Sequence, residues 1–307
     1  MYHGIINVYK EAGYTSHDVV ARLRGICKQK KIGHTGTLDP DAAGVLPVCL
    51  GNGTKLCDML TDLRKEYVAV LRLGMVTDTQ DISGKVLEER EVKASPREAE
   101  KVILSFLGDS MQIPPMYSAL KVNGKKLYEL ARQGKEVERA ARPITIYQIE
   151  ILEKEHPVYK LRVVCSKGTY IRTLCHDIGQ ALGCGGVMID LKRTRVGKFE
   201  IEKAYTLDAL EKMAKEGEFP RVIVPVEQMF ETLPALTVKE EAFGRLQNGN
   251  QLREEDLLAG FLEKEGSDVL LAEGKKFRVY SHRKVFFGVY RYEEKCRLFS
   301  AVKMFLT

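Results

Sequence analysis

The stretch Gly33-His34-Thr35-Gly36-Thr37-Leu38-Asp39-Pro40-Asp41-Ala42-Ala43-Gly44 constrains the fold most, because it combines three glycines with an acid fixed before a proline. Its glycines allow turns and close approach of another backbone, Pro40 pushes Asp39 out of the α region, and little else in it packs a core. The chain must leave regular structure here and hold a carboxylate on a rigid loop. Glycine and Asp-Pro are also ordinary turn chemistry, so a polar surface connection is the plain alternative. A phosphate-cradling loop just downstream fails on residue order, since in Gly51-Asn52-Gly53-Thr54-Lys55 the threonine precedes the lysine. No metal site is indicated, because His34 and Asp39 have no second His or Cys nearby at ligand spacing.

Around this loop the chain alternates between helical and strand patterns. Ile5 to Tyr9 reads as a short strand, and Ser16 can cap a helix to about Lys30 with Val19, Val20, Leu23, Ile26 and Cys27 as its apolar stripe. The other side of that helix carries Arg22, Arg24, Lys28, Lys30 and Lys31, which is either a solvated face or a surface for phosphates. From Lys65 to Gly74, Tyr67, Ala69, Leu71 and Leu73 alternate with Val68, Val70 and Arg72, predicting a strand apolar on both faces, with Lys85 to Val92 as its partner. Ser95-Pro96-Arg97-Glu98 is a capping box opening a helix that turns Ala99, Val102, Ile103 and Phe106 inward and stops at Gly108. Strands follow at Ile144 to Leu152 and Val158 to Cys165. The next helix buries Ile171, Leu174, Ile178 and Leu182 and ends at Gly183, leaving Tyr170 and Arg172 at its start, off the stripe. A strand around Val187 to Arg193 carries Leu191, and Thr206 caps a helix to about Lys215.

Residues 112–143 break this rhythm. Lys121, Lys125, Lys126, Arg132, Lys135, Arg139 and Arg142 are interleaved with Tyr117 and Tyr128, which suits phosphate contact and base stacking on RNA, or else a mobile solubilising insertion. Pro220, Pro225 and Pro234 then mark a boundary near residue 235, after which short runs such as Phe277 to Tyr280 and Val285 to Tyr292 read as a small β-rich module. At 307 residues the chain has room for two domains, and a net charge of +6 fits a nucleic-acid partner without demanding one. No apolar run reaches the ~18 residues of a membrane helix and no signal-type amino terminus is present, so a cytoplasmic protein is expected. Seven cysteines without a Cys-x-x-Cys pair give neither a disulfide framework nor a zinc ribbon. Cys175 and His176 are adjacent on a helix and therefore point about 100° apart, which argues against a nucleophile-base dyad.

Three motifs, Gly33 to Pro40 with Gly44-Val45-Leu46-Pro47, Lys65-Glu66-Tyr67, and Ser166 to Thr173, together resemble the TruB family of tRNA pseudouridine-55 synthases. The likeness runs from about Ile5 to Phe199. It implies an α+β fold: a mixed, mainly antiparallel sheet with flanking helices over 1–234, carrying the basic insertion, then a PUA-like RNA-binding domain over 235–307. It implies Asp39 as the catalytic acid, Arg172 as its partner, and Tyr67 stacked on a flipped uracil. Tyr170 and Leu191 would line the pocket, and His34 would fill the space the base vacates or contact its neighbours. Lys10, Lys121, Lys125, Lys126 and Arg132 are expected to contact RNA, with no cofactor, metal or obligate protein partner, and a monomer acting on the T stem-loop of tRNA. Two features depart from the family pattern. Asp41 stands where an apolar residue is usual and is expected to raise the Asp39 pKa or repel phosphate, and Val8-Tyr9-Lys10-Glu11 replaces Leu-Asp-Lys-Pro. The alternatives are a tRNA-binding or folding module with dispensable catalysis, and a glycosidase using Asp39 and Asp41 as its carboxylate pair.

Overall fold

The computed structural model describes residues 1–122, 124–258 and 271–305. A nine-stranded sheet is built from β1 (Gly4–Lys10), β2 (Ile32–His34), β3 (Ala43–Leu50), β4 (Lys65–Leu73), β5 (Gly108–Gln112), β6 (Arg142–Glu155), β7 (Val158–Cys165), β8 (Gly186–Val196) and β9 (Phe199–Glu200). Its order is β1-β3-β8-β4-β7-β6-β5, with β2 on β3 and β9 on β8. Only β3 and β8 run parallel, through Lys192 opposite Ala43 and Arg193 opposite Gly44, so the sheet is mixed and mainly antiparallel as expected.

Alternation explains how β4 sits at the centre: Tyr67, Ala69, Leu71 and Leu73 are buried, while Glu66, Val68, Val70 and Arg72 stay partly or fully open. The second face is thus less buried than its apolar residues suggest. The expected partner strand does not pair with β4, which instead lies between β7 and β8. Gly74, at φ +92°, turns the chain away, and Val86–Glu89 forms a separate ribbon with Met75–Thr77. That turn carries residues 78–84 over the sheet.

Helix α1 (Ser16–Cys27) packs Val19, Val20 and Leu23 on β1 and β3. Thr15 is its cap, in a reciprocal box with Asp18, and the helix ends at Cys27 rather than near Lys30. Ser16, the expected cap, is thereby free to bond elsewhere. Helix α2 (Pro96–Ser105) opens on the predicted Ser95 box, and with α3 (Ile171–Ala181) it covers β4, β6 and β7. Helix α4 (Leu207–Lys215) joins α1 over the other half, capped by Thr206. The basic segment is folded: Lys121–Val122 pairs with Lys125–Lys126, and Leu127 and Leu130 of the following helical turn are buried. A five-stranded sheet begins at Ala235–Thr237 and closes around Phe277, Tyr290 and Phe299. Val289 and Phe305 from this part pack with Ile5, Val45 and Phe230, joining the two sheets in one apolar cluster.

The start of α3 is placed by two close contacts. Gln112, buried on β5, exchanges hydrogen bonds with the Tyr170 backbone at 2.8 and 3.1 Å. At the other end, Gly179 presses against Gly185 and Gly186 where β8 begins, and a methyl group at 179 would overlap their backbone. Gly179→Ala is therefore expected to cost about 1–3 kcal/mol of stability, as overpacking does, measurable as a lower urea midpoint.

Candidate active site

The Asp39 loop is anchored from below and from both flanks. Ser16 Oγ accepts from the Leu38 amide at 3.0 Å and donates to the Leu38 carbonyl at 3.3 Å. Lys10, fully buried, donates from Nζ to the carbonyls of Glu11, Pro40 and Ala42 at 3.1, 3.0 and 2.6 Å. Arg193 donates from Nε to the Val45 carbonyl at 2.7 Å and from Nη1 to that of Thr37 at 3.4 Å. Gly44 has φ +118° and lies against the Arg193 backbone, where no side chain would fit. The result is a carboxylate on a segment with little freedom.

Arg172 meets that carboxylate side-on, with Nε 3.0 Å from Oδ2 and Nη2 donating to Oδ1 at 3.2 Å. Its remaining donors reach Asp81 Oδ2 at 3.3 Å, the Thr79 carbonyl at 3.1 Å and the Tyr117 carbonyl at 2.9 Å. A guanidinium has five N–H groups, and these five contacts occupy it fully. Asp81 is in turn fixed by the Thr79 hydroxyl at 2.8 Å and the Ser83 hydroxyl at 2.6 Å. The Arg172 side chain is only 5 per cent exposed, whereas Asp39 keeps 38 per cent of its side chain open at the mouth of the site. Burial in the protein pushes the Asp39 carboxyl above its ordinary pKa, Arg172 draws it down, and Asp81 pushes it up again.

The structure brings most of the expected residues together here. Tyr67 packs in one cluster with Leu38, Ala42 and Leu191, and the phenols of both Tyr67 and Tyr170 feel the Asp39 charge. Burial raises both phenols above the usual tyrosine range, opposed at Tyr67 by Arg193 and at Tyr170 by Ser118. His34 begins the loop, edge-on to His17 with ring centroids 5.4 Å apart, and burial pushes its imidazole down. Two expected residues lie elsewhere than at the Asp39 carboxylate. The Lys10 ammonium lies behind the loop, buried and bonded to carbonyl oxygens, and not at the surface where an RNA phosphate would meet it. Asp41 is exposed and faces solvent, where the expected repulsion of phosphate stays open, and the carboxylate that raises the Asp39 pKa is Asp81. Lys121, Lys125 and Arg132 lie at the surface of the folded insertion; Lys126 donates to the Tyr128 hydroxyl at 3.1 Å, and Lys126 and Arg132 both lie over the Tyr128 ring. Asp81 is not legible as a site residue, although Thr79-Gln80-Asp81-Ile82-Ser83-Gly84 is a polar run typical of a bonded turn.

"TruB family pseudouridylate synthase (N terminal domain)" matches residues 24–171, and "tRNA pseudouridylate synthase B C-terminal domain" matches 172–231. The chain belongs to the TruB family. It is 53 per cent identical to the tRNA pseudouridine synthase B of Lachnoclostridium phytofermentans, over 99 per cent of this chain and all of that protein. The protein of the same name from Alkaliphilus oremlandii is 46 per cent identical, with 95 per cent of this chain and 94 per cent of that one covered. Among solved structures, a Cbf5-Nop10-Gar1 complex matches at 30 per cent identity and a TM-score of 0.71, covering 99 per cent of this chain and 85 per cent of that one. An H/ACA ribonucleoprotein bound to a substrate RNA containing 2′-deoxyuridine matches at 27 per cent and 0.70, covering 99 and 86 per cent. This TruB-family enzyme thus has a mixed α+β catalytic sheet and a PUA-like curled sheet after it. No helix among the described residues is long and apolar enough to cross a membrane.

The buried lysine makes the site's scaffold sensitive to pH. Burial lowers Lys10 to about 8, well below its value in an unfolded chain, so unfolding takes up a proton between roughly pH 8 and 10. This group therefore makes the fold more stable as pH rises through that window. Lys65, also lowered to about 8 by burial, adds a second such contribution. Denaturant unfolding of Lys10→Met should be easier by about 1–3 kcal/mol at pH 7, since carbonyls lose their donor, and should show a shallower rise of stability from pH 8 to 10 than the parent.

Proposed function

We propose that this protein converts uridine to pseudouridine at position 55 in the T loop of tRNA. The observation that carries the reading is the Asp39 carboxylate, clamped side-on by a buried Arg172 yet open on its outer face, beside two tyrosines in a TruB-family chain. The relatives named tRNA pseudouridine synthase B support tRNA as the substrate class.

The reaction breaks the N1–C1′ bond, turns the uracil, and forms a C5–C1′ bond, while the C5 proton is exchanged for one on N1. It is redox-neutral. Asp39 acts as an anion, either attacking C1′ or taking a proton from C2′, and Arg172 keeps it charged and aimed. The target nucleoside leaves its stack at a cost of about a few kcal/mol. Tyr67 returns part of that by stacking on the uracil, Tyr170 and Leu191 enclose it, and His34 fills the space it leaves. Asp39 or Tyr67 accepts the C5 proton after rejoining. Residues 1–234 act as the catalytic unit. Lys121, Lys125, Lys126 and Arg132 supply phosphate contacts, and 235–307 adds a second RNA-binding surface.

Asp39→Ala should reduce pseudouridine formation on a T-arm stem-loop by at least about 1,000-fold, with RNA affinity within about threefold of the parent, as read by nucleoside analysis and filter binding. Equal conversion by both proteins would leave only an RNA-binding or folding role. Replacing Lys125, Lys126 and Arg132 by glutamate should weaken RNA binding and flatten its logarithmic salt dependence by about one unit for each phosphate no longer neutralised. An unchanged slope would remove the insertion from the interface.

A further inference from the structure

Arg193 takes no part in the Asp39–Arg172 pair, yet it is 2 per cent exposed and among the largest fully buried side chains of the protein. Among the described residues it has no carboxylate partner within ion-pair distance, and Nη2 is buried without a hydrogen bond. A buried guanidinium with one donor unmade is costly to keep, so its surroundings should show what it serves. Two of its nitrogens already hold the Asp39 loop at both ends, through Thr37 and Val45. The third has one neighbour of interest. Arg193 on β8 stands directly opposite Tyr67 on β4, and residues opposed in this way project from the same face with their Cβ atoms about 4.5–5.5 Å apart. The charge of Arg193 and its approach to the Tyr67 phenol as a hydrogen-bond donor both oppose the upward push of burial there, although Nη2 does not yet meet full hydrogen-bond geometry.

We propose that Arg193 is a positioning residue that acts through Tyr67: as a uridine fills the pocket, Nη2 donates to the phenol oxygen, and carboxylate loop and phenol are locked into one frame. This rests on the part given to Tyr67 under the proposed function. Arginine suits the task better than lysine, because its three nitrogens are spread across one rigid plane and reach the Val45 carbonyl, the Thr37 carbonyl and a phenol from separate atoms, whereas an ammonium gathers its three donors on one. Lys10 and Lys65 act alongside Arg193 as buried cations, but both spend their ammonium groups on backbone carbonyls, from Nζ to Ala42 and to Thr61 respectively.

The test is a double-mutant cycle on the conversion step, with enzyme in excess over a T-arm stem-loop and RNA affinity measured separately. Arg193→Met should slow conversion by about 100-fold while the dissociation constant stays within about threefold. Arg193→Lys should recover little of that rate. In a Tyr67→Phe background, itself slow, Arg193→Met should cost at least about tenfold less than it does in the parent. Losses that multiply fully would show that Arg193 acts independently of Tyr67 and would overturn the link alone. Conversion at the parent rate in Arg193→Met would do the same. Conversion at the parent rate in Tyr67→Phe would remove the role of Tyr67 itself, and the proposal with it. If Arg193→Met does not fold, as judged by circular dichroism, Arg193→Lys with its Tyr67→Phe double forms the same cycle.

Discussion

A single guanidinium, that of Arg172, ties together the segments that gather around Asp39. Its five donors reach the loop bearing Asp39, the turn bearing Thr79 and Asp81, and the Tyr117 carbonyl that leads into the basic insertion. Such a network is weak evidence for stability, since taking the charges out of water offsets most of their attraction. What it provides is geometry. Losing one partner would leave a buried charge poorly compensated, at a cost of about 3–5 kcal/mol, so the segments hold their arrangement together or not at all.

Around that pair the balance between burial and charge sets the chemistry. Burial pushes the Asp39 carboxyl toward neutrality and Asp81 adds to the push, while Arg172 and Lys10 oppose it. Tyr67 sits under the same competition, with burial raising the phenol and Arg193 lowering it. A carboxylate in such a place is held between two opposing influences, its direction fixed by the guanidinium while its outer face stays open.

How much of this is legible in the sequence depends on whether the signal is local. The helices opening at Pro96 and Leu207 are readable because caps and stripes lie within a few residues of one another. The cap of α1 lies one residue before the expected Ser16, at Thr15 with Asp18 as its reciprocal partner, and sequence alone does not decide between them because serine and threonine are both good capping types. The partner of β4 escapes a sequence reading for a different reason: Gly74 diverts the chain, and β7 and β8 arrive from some ninety to one hundred and twenty residues away. Lys10 illustrates the limit most sharply. A lysine in sequence looks like a surface cation, and only the closed loop with its inward carbonyls makes a buried one tolerable. Asp39 and Arg172 are legible through their likeness to a family motif, whereas Asp81 lies outside those motifs and gives no such signal.

The two members of the central pair lie 133 residues apart in the chain. At the usual pace of synthesis, about 5–20 residues per second, the aspartate leaves the ribosome on the order of ten seconds before its arginine exists. β3, which follows the loop, must likewise wait for β8 to complete its parallel pairing. The nascent chain therefore carries the carboxylate well before the guanidinium that meets it, and the pair can form only after α3 has emerged.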